Sequence, residues 1–201
     1  MKRVVLLPLL VVGAARPAAA DEAAPPPPPA ARTHDGFLLQ LTTGMGILSE
    51  HIDASGSDAS GVGGHGTLVL GGHVTPRLAL VVESTALVNS DVQVDGASAT
   101  GLGIDTYLLG LGVHRWWSPQ FYTRTSVGAL WQSVSADGVG ELGSSGAGFG
   151  VSFTVGHNWW VSDSWALGIA GNLLFGSTAT SDTVYASSHV DAGIDFVGTY
   201  D

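Results

Sequence analysis

The charged and polar side chains that could take part in chemistry are isolated from one another in the sequence. Each lies in a segment where apolar and polar residues alternate. If those segments face a common interior, an unpaired arginine there would cost several kcal/mol. We therefore expect Arg124 to pair with Glu83 or with an aspartate near the end of the chain. We interpret such a pair as a salt bridge that fixes the barrel, and a catalytic or gating role is the alternative. The full set of candidate interior residues is Gln40, His73, Glu83, His114, Arg124, Asn172, Asp191 and Asp195.

The seven histidines suggest metal chemistry by their number but not by their spacing. The sequence has no His-Glu-x-x-His and no His-x-His, which are spacings that bring two imidazoles to one metal ion. His73, His114 and His157 each precede a short turn, and that position accounts for them without a ligand role. We predict neither a metal site nor a cofactor.

Two glycine-rich runs could be mistaken for nucleotide-binding loops. They are Gly101-x-Gly103 and Gly146-x-Gly148-x-Gly150, and no helical pattern follows either of them. Cradling a phosphate requires a helix at that point. Close packing of strands in a narrow interior explains these glycines better.

Residues 1–20 have the pattern of a secretory signal peptide. Lys2 and Arg3 give a positive start, an apolar stretch follows, and Ala18 to Ala20 offer a cleavage site. Residues 21–35 are a proline-rich linker, which we place in the periplasm, and its five consecutive prolines favour polyproline II.

The predicted mature chain is strongly acidic and lacks lysine. Removal of Lys2, Arg3 and Arg16 leaves 4 of the 7 basic residues against 17 acidic ones, so the net charge becomes 4 − 17 = −13. This balance excludes nucleic-acid binding by phosphate neutralisation. The absence of cysteine excludes disulfides and thiolate metal sites.

Apolar residues recur at every second position through most of residues 36–201. That period is typical of strands with lipid on one side, and it places Leu109, Val151 and Ile194 on the lipid face. Short turns at Pro76, Pro119 and Asp163 alternate with longer polar segments. We interpret these segments as long loops at 50–64, 89–100 and 133–146, and we predict a short loop at 178–183. The predicted strands are 36–48, 66–74, 78–88, 105–117, 121–132, 148–160, 165–177 and 184–200.

Five of the six tryptophans lie at two of the short turns. Aromatic residues concentrate at the headgroup level of membrane barrels, so we interpret these turns as one barrel rim. The alternative is an aromatic core in a β-sandwich. The predicted periplasmic girdle is Trp116, Trp117, Phe121, Tyr122, Trp159, Trp160, Trp165 and Tyr200, and the sparser outer girdle is Tyr107, Trp131, Phe175 and Tyr185.

The signal peptide, strand count, alternation and aromatic close resemble the small outer-membrane barrels of the OmpA, OmpX and OmpW type. The resemblance covers residues 36–201 and implies an all-β, eight-stranded antiparallel up-and-down transmembrane β-barrel. It also implies handling by the barrel insertion machinery, which usually reads a terminal Phe or Trp; here Phe196 and Tyr200 precede Asp201.

We expect an outer-membrane protein with a structural or surface-interaction role, no catalysis and a monomeric state. Its partners would be membrane lipid and lipopolysaccharide, with acidic loops that either are simply solvated or share divalent cations. The OmpW resemblance implies a second possibility, a narrow channel for small apolar solutes. A third is a lipid A-modifying enzyme, since deacylases of this barrel size use a His with a nearby Ser; here only the reversed Ser187-x-His189 occurs. A soluble lipocalin-like barrel is the fourth.

Overall fold

The computed structural model describes His34, residues 36–182 and residues 184–201. The predicted signal peptide and the linker apart from His34 lie outside these described residues. Within them no helix is long and apolar enough to cross a membrane. The strands are β1 (Phe37–Ile52), β2 (Ser57–Thr75), β3 (Leu78–Val94), β4 (Ala97–Ala99), β5 (Leu102–Trp116), β6 (Phe121–Ala136), β7 (Gly140–Ser144), β8 (Gly146–Trp160), β9 (Trp165–Ala179) and β10 (Ser187–Tyr200).

The eight long strands form a closed antiparallel barrel. Each pairs with the next long strand along the chain, and β1 pairs with β10 in a register that sets Leu41 opposite Gly198. The short strands β4 and β7 extend the edges of β3 and β6. Closure pairs both edges of every long strand in the described part of the chain, as a sheet surrounded by lipid requires. The all-β, eight-stranded fold predicted from the alternation is confirmed.

Side chains alternate between a buried interior and an apolar exterior along each long strand. Leu109 is 52% exposed and Ile194 is 74% exposed, whereas Thr106 and Leu108 on the same strand as Leu109 are buried. Apolar residues outside and polar residues inside reverse the arrangement of a soluble barrel. This pattern matches a lipid-facing belt around a packed lumen.

The connections divide the barrel into two different ends. Turns at 76–77, 117–120 and 161–164 are short, and in barrels of this kind the short turns are periplasmic. At the opposite, outer end the strands run on as hairpins beyond the apolar belt. On β1 the outward side chains change from Met45 and Ile47 to Ser49 and His51, which marks the outer edge of the belt.

The predicted long loops are wrong in extent, because most of their residues continue the strands. β1 and β2 stay paired as far as Ile52 and Ser57, and the outermost turn of β3 is the pair Asp95-Gly96, with φ of 51° and 77°. Two consecutive positive φ angles are typical of the type I′ hairpin turn, which favours Asp-Gly. Backbone hydrogen bonds hold such hairpins without apolar alternation, so the alternation did not reveal them. Likewise, the last strand begins at Ser187 rather than at 184.

A row of glycines crosses the inner wall of the barrel. Gly110, Gly128, Gly150 and Gly176 are paired in register across β5, β6, β8 and β9. Buried leucines pack against this row: a Cβ on Gly150 would lie 2.9 Å from methyl groups of both Leu108 and Leu130, and one on Gly176 would lie 2.9 Å from Leu130. With Leu174, these leucines form an apolar layer across the lumen.

Candidate functional site in the barrel interior

Arg124 lies on the inward side of β6 at the centre of a buried polar network. Its Nε donates to Glu83 Oε2 at 2.7 Å and its Nη2 donates to Thr154 Oγ1 at 3.2 Å. Its Nη1 donates to Gln40 Oε1. The guanidinium therefore binds side chains from β1, β3 and β8. Glu83 is the partner of Arg124, and the aspartates of the last strand are not.

Hydroxyl groups complete the coordination of the Glu83 carboxylate. Ser126 donates to Oε2 at 2.7 Å, while Ser152 and Thr85 donate to Oε1 at 2.8 and 3.0 Å. Each carboxylate oxygen therefore accepts two hydrogen bonds, counting the one from Arg124. A buried ion pair needs such additional bonds to offset the loss of hydration.

Asp195 forms a second cluster with His65, a histidine outside the predicted interior set. His65 Nδ1 lies 2.9 Å from both Asp195 carboxylate oxygens. Asn172 Nδ2 and Thr42 Oγ1 donate to Asp195 Oδ2 at 2.8 and 3.1 Å. His65 lies between the predicted first loop, 50–64, and the predicted second strand, 66–74, so neither prediction includes it. The period of two through His65, Thr67 and Val69 on β2 is the signal that would have placed it inside.

Asp191 also faces the interior, closer to the outer mouth. His189 Nε2 lies 3.9 Å from Asp191 Oδ2, and the described residues donate no hydrogen bond to that carboxylate. Nearby, Gln132 Nε2 donates to Glu50 Oε2 at 3.3 Å, and Ser187 Oγ donates to Gln132 Oε1 at 3.0 Å. The predicted interior residues therefore occupy separate levels of the lumen and do not form one cluster.

His114 and two of the predicted girdle aromatics pack together inside the periplasmic end. The His114 ring centroid lies 4.8 Å from that of Trp116 and 4.5 Å from that of Tyr122. Trp116 is only 2% exposed, whereas its neighbour Trp117 is 50% exposed. The assignment of Trp116 and Tyr122 to the girdle is wrong, because successive side chains of a strand point to opposite faces.

The other predicted girdle residues lie near the two rims. Trp165 and Tyr200 meet edge to face at 5.3 Å, and the Arg115 guanidinium lies 4.0 Å from the Trp117 ring. At the outer rim Tyr107 and Trp131 stack at 5.9 Å. Trp160 is half-buried, with its indole N–H donating to Pro119 O at 3.0 Å. The remaining girdle residues Phe121, Trp159, Phe175 and Tyr185 are exposed.

A closed eight-stranded antiparallel barrel with an apolar exterior, aromatic rims and a polar interior is an outer-membrane β-barrel. No protein-family model matches the sequence, and no curated protein matches it.

Solved structures with a similar fold include Neisserial surface protein A, which has a TM-score of 0.60 and 15% identity over 82% of this chain and 96% of that one. The outer membrane protein OprG from Pseudomonas aeruginosa has a TM-score of 0.46 and 11% identity over 84% of this chain and 98% of that one. The outer membrane protein AlkL, solved in lipid bilayers, has a TM-score of 0.47 and 15% identity over 90% of this chain and 96% of that one. The first likeness agrees with the eight-stranded barrel, and at this identity it concerns the fold alone.

Proposed function

We propose that this outer-membrane barrel neither conducts solutes nor catalyses a reaction. We propose instead that it anchors in the membrane the acidic hairpin ends that it carries at its outer surface. The main observation that supports this proposal is that side chains fill the lumen. The Arg124–Glu83 network occupies one level of the interior, and the layer of Leu108, Leu130 and Leu174 occupies another. An eight-stranded barrel is just narrow enough for side chains to fill it.

The space left between these levels supports a closed barrel. A void of about 10 Å³ remains beside His65, Glu83 and Ser152. That volume holds about one water molecule at most. A hydrated ion or a small polar solute would have to displace both the ion pair and the leucines to cross.

The charge distribution supports a role at the outer surface. Arg77 and Arg115 lie at the periplasmic end, Arg124 is interior, and the described residues beyond the outer edge of the belt include no Lys or Arg. Contact with lipopolysaccharide phosphates would therefore need divalent cations between the two anionic surfaces. Among the residues whose side chains the structure describes, the exposed acidic residues of the outer end are Asp53, Asp58, Asp95, Asp137, Glu141 and Asp182.

A second candidate function, the uptake of small apolar solutes, is favoured by a cavity at the outer mouth. The cavity has a volume of about 250 Å³, and its lining is mainly apolar, including Val94, Leu102 and Ile104. Glu50 and Gln132 provide its polar part. In a narrow channel this cavity would be the entry site for the solute. In a closed barrel it would be a pocket that the leucine layer separates from the rest of the lumen.

Reconstitution into liposomes and planar bilayers separates the two functions. We expect the wild-type barrel to show no single-channel events and no faster uptake of a small aromatic probe than lipid alone, beside a general-diffusion porin as positive control. Uptake that falls in Ile104→Trp, which fills the cavity, but not in Leu109→Trp on the lipid face would establish the channel instead. Lipid A from producing cells should keep its mass, and a changed mass would establish an enzyme.

The surface role is tested by binding of lipopolysaccharide micelles to the reconstituted barrel. We expect binding that requires Mg²⁺ and that weakens in the triple variant Asp53→Asn, Asp58→Asn, Asp95→Asn. Asp163→Asn at the periplasmic turn serves as the matched control. Binding that is independent of Mg²⁺ and of all these aspartates would contradict an acidic, cation-bridged surface.

A further inference from the structure

Three polar residues that are far apart in the sequence meet at the periplasmic end of the barrel seam. His34 precedes β1, His73 lies near the end of β2, and Asp201 follows β10. They come together because β1 pairs with β2 on one side and with β10 on the other. The backbone holds two of them in place, since His73 N donates to Gly36 O at 2.9 Å and Asp201 N donates to Ser164 O at 3.0 Å.

The side chains of this cluster converge through atoms that bind metals. His34 Nδ1 contacts Asp201 Oδ2, and His73 Nδ1 lies 3.3 Å from Asp201 Oδ1. One ligand atom from each residue falls within 4.8 Å of the other two. Bonds of about 2.0–2.2 Å in a tetrahedral site separate neighbouring ligand atoms by roughly 3.3–3.5 Å. The cluster is therefore of the right size for one ion after the His34 and Asp201 side chains separate slightly.

The cluster is almost closed to solvent, and one oxygen of its carboxylate accepts no hydrogen bond from the described residues. The side chains of His34, His73 and Asp201 are 4%, 2% and 2% exposed. Asp201 Oδ1 accepts no hydrogen bond from the described residues, and among them its ion-pair contacts are with the two histidines. A buried carboxylate in this position needs a positive charge close by, and a divalent cation would supply it.

Aromatic rings hold the first ligand in position. The His34 ring stacks on Trp116 at 3.8 Å with an interplanar angle of 5°, and the Trp160 ring lies 5.4 Å away. The buried Trp116, which we predicted to lie in the girdle, therefore forms one wall of the cluster. A ring that is already oriented loses little freedom when it binds an ion.

We propose that His34, His73 and Asp201 bind one divalent transition-metal ion of the zinc type. The ligands would be Nδ1 of each histidine and one carboxylate oxygen of Asp201, with water in the fourth position of a tetrahedron. Two imidazoles with one carboxylate suit zinc better than magnesium or calcium, which prefer oxygen ligands. The ion would fasten together chain positions 167 residues apart and lock the seam between β1 and β10.

The test uses the barrel without a polyhistidine tag, folded into nanodiscs and freed of metal with EDTA. Zn²⁺ binding is measured by calorimetry, and Co²⁺ is added in parallel because tetrahedral coordination gives it a strong visible absorption. The variants are His73→Gln and the nearly isosteric Asp201→Asn. The matched control is His157→Gln, a half-buried histidine at the same end whose ring packs on Trp159 at 4.7 Å.

We expect one Zn²⁺ per wild-type barrel and a loss of affinity of about tenfold or more in each ligand variant, with the control unchanged. Retained heat-dependent gel mobility shows that a variant is folded. The wild-type barrel should also unfold at a higher denaturant concentration with Zn²⁺ than with EDTA. If Zn²⁺ neither binds nor stabilises the wild type, or binds Asp201→Asn equally well, the cluster is an ordinary His–Asp ion pair.

Discussion

The Arg124 guanidinium and the Glu83 carboxylate lie 2.7 Å apart in the lumen, although β5 separates their strands β6 and β3 in the sheet. The two side chains can meet across the inner face of β5 because that strand has glycine at the same level, and glycine has no side chain to block them. Gly110 is opposite Glu83 in the ladder, and Gly112 is opposite Ser126. A Cβ on Gly112 would lie 2.1 Å from Ser126 Oγ, so a side chain there would disturb one of the hydroxyl donors to Glu83.

Removing one member of this pair should destabilise the barrel strongly. Arg124→Met leaves the Glu83 carboxylate buried without its counter-ion, at an expected cost of about 3–5 kcal/mol. The double variant Arg124→Met, Glu83→Leu should recover most of that loss, because no buried charge remains. Urea unfolding in lipid vesicles, followed by tryptophan fluorescence, measures both. Glu141→Gln on the exposed part of β7 is the control, and equal stability of the single and double variants would refute the coupling.

The depth of the lipid-facing belt is tested by placing arginine at two exposed apolar positions. Leu109 lies in the middle of β5 on the outer face, whereas Val139 lies in the turn between β6 and β7 beyond the belt. We expect Leu109→Arg to lower the free energy of unfolding by about 2–4 kcal/mol and Val139→Arg to have almost no effect. Folding into vesicles at a series of urea concentrations gives both values. Equal tolerance of the two substitutions would contradict the assigned belt.

The glycine row should not tolerate even a methyl group. A Cβ on Gly128 would lie 2.1 Å from Leu109 O and 2.4 Å from Gly110 Cα, and both contacts are with backbone. Gly128→Ala should therefore cost about 1–3 kcal/mol through forced backbone movement. Gly64, an outward-facing glycine of β2, has open space around its Cβ position, so Gly64→Ala should cause no loss. Comparison of their unfolding midpoints decides whether the row is tightly packed.

The outermost hairpin should respond to pH through His51, which lies beyond the outer edge of the belt. Hydrogen bonding to Asp58, at 2.8 Å, raises the pKa of His51 above its ordinary value of 6.5. The interaction favours the protonated ring, so its contribution is complete below the unfolded pKa and is lost as the pH rises through the folded one. An NMR titration should show the raised pKa falling toward 6.5 in Asp58→Asn. An unchanged pKa in that variant would rule out this pairing.

The alternation of apolar and polar residues was enough to predict the strand faces. A strand shows its side chains to opposite sides with a period of two, and lipid outside the barrel makes that period visible in the sequence. Thus Leu109 and Ile194 are outside, and Gln40, Glu83 and Arg124 are inside, as predicted. The same rule, applied strictly to Trp116 and Trp117, would have separated that adjacent pair into one interior and one rim residue.

The partners inside the lumen, in contrast, were decided by the tertiary structure. Whether Arg124 meets Glu83 or Asp195 depends on the registers of all eight strands and on their accumulated stagger around the barrel, which no single segment encodes. The same holds for His65 with Asp195, and for His34, His73 and Asp201, which meet only because the barrel closes. The strand faces could be read from local sequence because each depends on its own residues, whereas these contacts depend on closure, which is a property of the whole sheet.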